Sequence, residues 1–239
     1  MALRDTGGKA AMSGRLVLVR HGQSYGNVER RLDTKPPGAP LTDLGLQQAR
    51  LFAEQYGGHP PAVLIHSVAV RAVETAAGIA EHLGVQALAA EGLHEVQAGE
   101  LEDRTDMEAF EIFDRTYERW HFGDLDARMP GGESAQDVFD RYLPVVADLR
   151  LRHLENDASA GDVVIVSHGA AIRLVGATLA GVDPGFAVNR HLRNAEAVVL
   201  APITDGRWSC VHWGDAAAPF PHQVATSAEE LAQSPDPMG

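Results

Sequence analysis

Hydrophobic positions along the chain fall into two alternating patterns. Short unbroken apolar runs recur at 16–19 (Leu-Val-Leu-Val), 63–65 and 163–166 (Val-Val-Ile-Val). Runs of this length suit strands buried on both faces. Between them, apolar residues recur at helical spacing. Thr42 is placed to cap a helix running to about Tyr56, with Leu44, Leu51 and Phe52 on one side and Gly57-Gly58 as its stop. A helix over 70–83 carries Val73, Ala76, Ala80 and Leu83, and Gly84 ends it. A weaker strand is expected at 86–89, then a helix over 106–120 whose Phe110, Phe113, Tyr117 and Trp120 form a packed face. Pro130-Gly131-Gly132 reads as a turn. Ser134 with Asp137 resembles a capping box, opening a helix with Val138, Tyr142, Val145 and Leu149 and a kink at Pro144. A helix over 170–179 closes near Gly181, and strands at 197–200 and 208–213 form a hairpin around Asp205-Gly206. This alternation predicts an α/β fold, a three-layer αβα sandwich with a mainly parallel central sheet.

Composition narrows the class. The 239 residues are 45% hydrophobic and 22% charged, as in an ordinary globular protein. Twenty basic against thirty-three acidic residues leave a net charge of −13, which argues against nucleic acid or an anionic membrane as partner. A small anionic substrate remains compatible, because a few arginines in one cleft make a local positive field. The single cysteine, Cys210, excludes an intrachain disulfide framework and a cysteine zinc cage. No apolar run is long enough to span a bilayer, and the first residues lack a signal-peptide core, so a cytoplasmic protein is expected. Residues 1–13 read as a flexible leader, with Met12 an alternative start, 14–215 as one domain and 216–239 as a loose tail.

Two places repeat one pattern. The first apolar run leads into Arg20-His21-Gly22, and the 163–166 run into Ser167-His168-Gly169. Each puts a histidine one residue past a buried strand, beside a glycine. In open α/β sheets ligands bind at the carboxyl ends of strands, so the two histidines can converge on one ligand. The glycines allow backbone N–H groups to approach an anion. A lone histidine beside a strand is usually a polar tip at the sheet edge; the pairing and the adjoining Arg20, costly at a strand end without an anionic partner, weigh against that reading.

Leu18-Val19-Arg20-His21-Gly22-Gln23-Ser24 with Asn27 resembles the signature of the histidine phosphatase superfamily, which includes the cofactor-dependent phosphoglycerate mutases. The resemblance continues in order through Leu41-Thr42-Asp43-Leu44-Gly45 with Gln48-Ala49, through Ser67 and Arg71-Ala72 to Thr75-Ala76, and through Leu93-His94-Glu95 with Gly99. It ends with Pro130-Gly131-Gly132-Glu133-Ser134 and Ser167-His168-Gly169. It implies a phosphoglycerate mutase-like fold and a phosphomonoesterase acting through a phosphohistidine on a small phosphorylated metabolite. By the same resemblance His21 is the nucleophile, and Arg20, Arg71 and His168 surround the phosphoryl group. Glu95 is the general acid, and Gly22, Ser24, Asn27 and Gly169 contact substrate. No metal and no cofactor are implied, except a bisphosphate primer for a mutase, and a homodimer is an open assembly state.

Other readings stay open at this stage. A mutase would return the phosphoryl group to an organic acceptor, and a phospho-ligand binding module would not turn over at all. A metal hydrolase using His21 and His168 conflicts with arginines that repel a cation. His59, His66, His82 and His153 read as surface residues, and Glu95 without the resemblance would be one more solvated acid beside Glu91, Glu100, Glu102 and Asp103. The chain departs from the family pattern in four places, the first at Tyr25-Gly26 just before Asn27. Residues 30–40 are proline-rich and lack a Gly-aromatic stretch, Leu101 stands where a tryptophan is common, and 95–131 lacks the lysine and paired arginines of bisphosphate-dependent mutases. The expectation is intact core chemistry with a substrate pocket unlike the standard mutase pocket.

Overall fold

The unbroken apolar runs are strands whose alternate side chains enter two different cores. In the computed structural model, which describes residues 14–57, 59–155 and 161–220, β1 (Leu16–Arg20) sends Leu16 and Leu18 to one core and Val17 and Val19 to the other. β4 (Val163–Ser167) does the same with Val163 and Ile165 against Val164 and Val166. The expected leader 1–13 and residues 221–239 of the expected tail lie outside the described residues.

The seven-stranded sheet has the order β3-β2-β4-β1-β5-β6-β7. β2 (Val63–His66) pairs parallel with β4 and with β3 (Ala87–Ala89), and β1 pairs parallel with β4. β5 (Ala197–Pro202) joins β1 antiparallel, and β6 (Trp208–Trp213) and β7 (Ala216–Ala217) follow antiparallel, so the sheet runs two residues past 215.

Helices cover both faces. The short α1 (Tyr25–Val28) follows β1, and α2 (Asp43–Tyr56) and α3 (Val70–Leu83) pack over one core. The other core carries α4 (Met107–His121), α5 (Ala135–Leu149), α6 (Gly169–Ala180) and α7 (Pro184–Asn189). The fold is the expected α/β sandwich, and several caps fall where the sequence puts them. Thr42 Oγ1 accepts from Gly45 N–H, and Ser134 with Asp137 forms a reciprocal capping box. Asp106, expected only as the first residue of its helix, caps α4 by accepting from Ala109 N–H. The chain turns out of α5 through a π-helical turn at Arg150–Leu154. No helix among the described residues is long and apolar enough to cross a membrane.

The helix faces correct part of the sequence expectation. On α2, Leu44 and Leu51 are exposed, and the buried residues are Gly45, Ala49 and Ala53. On α3, Val73 is exposed while Ala72, Thr75, Ala76 and Ile79 are buried. The two helices approach through small side chains, so closely that a Cβ on Gly78 would stand 3.2 Å from Ala49 Cβ. Close approach rewards small residues over large ones, which apolar periodicity does not register. His66, expected at the surface, is buried with Nδ1 2.9 Å from Ser67 O.

Candidate active site

The repeated strand-end pattern converges because β1 and β4 are parallel neighbours. Arg20 is in register with Ser167, and His21 N–H donates to Ser167 O at 3.0 Å. His21 and His168 therefore leave the same sheet edge side by side, with ring centroids 5.2 Å apart at 60°. β2, on the far side of β4, contributes Ser67, whose hydroxyl lies 2.8 Å from His168 Nε2.

The His21 ring has one determinable tautomer. Its Nδ1 lies 2.7 Å from Gly22 O, which can only accept, so Nδ1 carries the proton and Nε2 the lone pair. Arg71, at the start of α3, donates Nε–H to that Nε2 at 3.1 Å. Burial above all, then the charges of Arg71 and Arg20, hold the His21 pKa well below the usual imidazole range. Burial and Arg71 do the same to His168. Both rings are thus neutral at physiological pH.

Arg20 and Arg71 are almost wholly buried. Arg20 Nη1 donates to Leu192 O at 2.6 Å. Arg71 Nη2 donates to Asp33 O at 2.9 Å. Two buried polar atoms here, Arg71 Nη1 and His168 Nδ1, have no hydrogen-bond partner among the described residues.

Glu95 is 3% exposed and sits against the amino end of α6. Its Oε1 accepts from Val96 N–H at 2.7 Å and Ala171 N–H at 2.9 Å, and Oε2 from Ala170 N–H at 3.1 Å. Burial raises its pKa; the backbone donors and Arg71 pull the other way and lose.

Ser24, Asn27, Arg20, His21, Arg71 and Glu95 line a pocket of about 10 Å³, together with Arg31 and Asp33. Ser24 and Asn27 form a capping box around α1, and Asn27 Oδ1 accepts from Ser24 N–H and from Asn194 Nδ2. These contacts use the Asn27 amide oxygen and leave its amide nitrogen without a hydrogen bond among the described residues. Gly22 N–H donates to Thr75 Oγ1 at 3.0 Å. Glycine is needed at 22 because a Cβ there would stand 2.4 Å from Gly45 O. Gly169 opens α6 next to His168.

Sequence reasoning missed several residues around this pocket. Arg141 on α5 donates to the carbonyls of Gly92, His94 and Glu95 and grips Glu133 with two nitrogens, fixing the loop that carries Glu95. Asn194 donates to His21 O at 3.2 Å. Arg31 and Asp33 come from the proline-rich segment whose unusual composition was the signal that it is special to this chain. No group of three or more His, Cys, Asp or Glu side chains placed to hold a metal occurs among the described residues.

Neutral strand-end histidines, buried arginines and a buried carboxyl at the carboxyl edge of a parallel sheet define an α/β phosphoryl-transfer enzyme. Comparison with known proteins makes this specific. The chain belongs to the histidine phosphatase superfamily (branch 1), whose profile matches residues 16–216. It is 31% identical over 209 residues to a glucosyl-3-phosphoglycerate phosphatase of Mycolicibacterium vanbaalenii, covering 83% of this chain and 91% of the relative. It is 32% identical over 222 residues to the Enterobacter sp. (strain 638) protein named "Probable phosphoglycerate mutase GpmB", covering 90% and 97%. Among solved structures, a mycobacterial glucosyl-3-phosphoglycerate phosphatase superposes with a TM-score of 0.72 at 28% identity, covering 85% of this chain and 99% of that one. The protein is a histidine-phosphatase-family phosphomonoesterase of a small phosphorylated metabolite.

Proposed function

We propose that turnover passes through a phosphohistidine at Nε2 of His21 and that water receives the phosphoryl group. The observation that carries this is the tautomer: Nδ1–H is held by Gly22 O, and the Nε2 lone pair of a neutral, buried ring meets Arg71 in the pocket. Substrate phosphoryl oxygens take over the Arg71 fork, drawing its Nε–H away from Nε2 and freeing the lone pair. Nε2 then attacks phosphorus, the P–N bond forms and the ester P–O bond breaks. The leaving oxygen takes the proton of Glu95. Arg20, Arg71 and His168 hold the equatorial oxygens, where charge spreads in the transition state, and Asn27 adds a neutral donor. In the second half, water gives a proton to the Glu95 carboxylate and attacks phosphorus. The P–N bond breaks, its electrons return to Nε2, and phosphate departs. Oε2 of Glu95, with one backbone donor against two on Oε1, is the oxygen that exchanges the proton.

Hydrolysis is favoured over mutase chemistry by where the other arginines go. Arg104 pairs with Asp106 and Glu108, Arg119 with Asp124, and Arg128 with Asp137. Neither these three nor Arg115, the fourth arginine of the region, lines the pocket, so among the described residues no arginine from that region gathers around a second phosphate. The reaction accordingly needs no bisphosphate primer, and the arginines supply the positive charge that a metal otherwise would. The lone buried thiol of Cys210 fits a reducing, cytoplasmic setting.

The test is to trap the intermediate. A labelled substrate quenched in alkali should leave a labelled protein that acid strips, because a phosphoramidate is acid-labile and base-stable. The label should be absent in His21→Ala. A label mapped to another residue would overturn the assignment. Parallel assays with a phosphoglycerate and a bisphosphate primer, and with exhaustive chelation, separate hydrolysis from isomerisation and from metal dependence. The two relatives above are named for phosphoglycerate esters, so those esters belong in the first panel.

A further inference from the structure

Resting on that phosphatase reading, we infer that Asp33 selects what the phosphoryl group is attached to: it accepts from hydroxyl groups on the leaving alcohol and excludes alcohols carrying a carboxylate or second phosphate beside the ester. The geometry that points to this is a junction. Beside the small catalytic pocket lies an open cleft of about 640 Å³, formed by the proline-rich loop together with Tyr25, Glu102 and Asp103. Among the described residues, only Arg31 and Asp33 line both chambers. A substrate with its phosphoryl group at His21 must run its alcohol past these two side chains, and the cleft is within the usual size range for small-ligand sites.

Asp33 is a built fixture of that passage. Its side chain is only 9% exposed. Oδ2 accepts from Ala39 N–H at 2.8 Å and stands 3.6 Å from Arg71 Nη1, the nitrogen with no hydrogen-bond partner among the described residues. Two glycines make room for it. A Cβ on Gly26 would meet Asp33 Oδ2 at 2.7 Å, and one on Gly38 would meet Asp33 Oδ1 at 3.0 Å and Arg71 Nη1 at 2.3 Å. Gly38 also has φ +66°, which strongly favours glycine. The loop is locked from behind, where Glu102 accepts from Thr34 N–H, Thr34 Oγ1 and Lys35 N–H. Oδ1 of Asp33 has no hydrogen bond among the described residues and is the acceptor left for a ligand.

The other charges of the passage are already matched. Asp103 and Glu29 pair with Arg31, and Glu102 is spent on the loop. Asp33 itself pairs with Arg71 at 3.6 Å; once substrate phosphoryl oxygens engage that guanidinium, the Asp33 carboxylate is the charge left beside the ester. A carboxylate there welcomes hydroxyl donors and repels an anion, while the exposed Lys35 ammonium lies further out on the loop, where a distal anion is tolerated. The substrate class is the monophosphate of a polyhydroxylated alcohol, of the glycerol or sugar type, without an anionic group within two carbons of the ester-bearing carbon.

Glycerol 3-phosphate and 3-phosphoglycerate test this directly, since they differ by a hydroxymethyl against a carboxylate on the same chain. With p-nitrophenyl phosphate as the common reference, the wild-type kcat/KM should favour glycerol 3-phosphate by about 10–100-fold, the order expected for a like-charge repulsion across a partly solvated gap. Asp33→Asn keeps the shape and the Ala39 contact but removes the charge, and should collapse that ratio by about 10-fold, mainly by raising kcat/KM for 3-phosphoglycerate. Losses common to all substrates divide out against the aryl phosphate. The wild-type ratio needs no variant, so it decides the matter even if Asp33→Asn fails to fold. A wild-type preference for 3-phosphoglycerate, or a ratio unmoved by Asp33→Asn while p-nitrophenyl phosphate is turned over, overturns the role of Asp33 alone. A folded wild-type protein that hydrolyses none of the three removes the phosphatase reading and this inference with it.

Discussion

The chambers on either side of Asp33 are built from different materials. The proposed catalytic pocket is made by ends of regular elements: β1 delivers His21, with His168 at the end of β4 beside it, α3 delivers Arg71, and the first turn of α6 holds Glu95. The cleft is made by a loop whose backbone is fixed by side-chain carboxylates at Asp33 and Glu102. One chamber holds about 10 Å³ and the other about 640 Å³. The contrast teaches where each property resides. Chemistry that needs sub-ångström placement rests on the sheet, where register sets positions for free. Choice of substrate rests on a loop that can change composition without disturbing that register.

If the division is real, substitutions in the pocket should abolish turnover and substitutions in the loop should redirect or weaken it. The largest effect is expected for His21→Ala, a loss on the order of 10⁵–10⁶ in kcat, the scale seen when a covalent nucleophile is removed. Circular dichroism should be unchanged, and residual turnover near the wild-type rate would end the nucleophile assignment. Next comes Glu95→Gln, expected to slow alkyl phosphates by roughly 10²–10⁴. An aryl phosphate, whose leaving group needs less protonation, should lose much less. Equal losses on both would show that Glu95 does not protonate the leaving group.

Gly38→Ala probes the loop side. A methyl at φ +66°, 2.3 Å from Arg71 Nη1, forces either the loop or the guanidinium to move. The expected cost is about 1–3 kcal/mol of stability, read as a lower urea midpoint, with a fall in kcat/KM of about 10-fold, equivalent to ~1.4 kcal/mol of transition-state binding. A variant as stable and as active as wild type would mean that the loop does not rest on Arg71 in solution.

The smallest effect concerns pH. His94 lies on the Glu95 loop, and burial first, then the charge of Arg141, lower its pKa to about 4. A histidine depressed in the fold takes up its proton first in the unfolded chain. Its contribution to stability is therefore complete above about 6.5 and is lost as pH falls toward the folded value. His21 and His168 act in the same direction, while Glu95, whose pKa is raised, acts in the opposite one. The urea midpoint should drop between pH 7 and pH 5, and His94→Gln should narrow that drop. A drop of undiminished size in the variant would assign the sensitivity elsewhere.

Much of this protein was readable before any coordinates. Alternating short apolar runs and helical periods determine a layered α/β fold because strands buried on both faces and amphipathic helices have few ways to cover one another. Caps at Thr42 and Ser134 and stops at Gly57, Gly84 and Gly181 are local, since they depend on a few neighbouring dihedrals and hydrogen bonds. His21, His168 and Arg20 stood out because strand-end histidines with glycine neighbours and an arginine at the end of a buried strand are costly without a purpose, whereas Arg71 and Glu95 were reached only through the resemblance to the family. Only the tertiary structure decided which helix faces are buried, and it chose the small faces of α2 and α3, because close approach depends on the partner helix. It alone set the tautomer of His21, the clamp of Arg141 on the Glu95 loop and the meeting of Asp33 with Arg71. The Arg141 and Asp33 contacts join residues 38 to 49 positions apart, and although Gly22 is the next residue to His21, the ring orientation that meets its carbonyl is fixed by the packing around it; no local pattern encodes what the fold has yet to close.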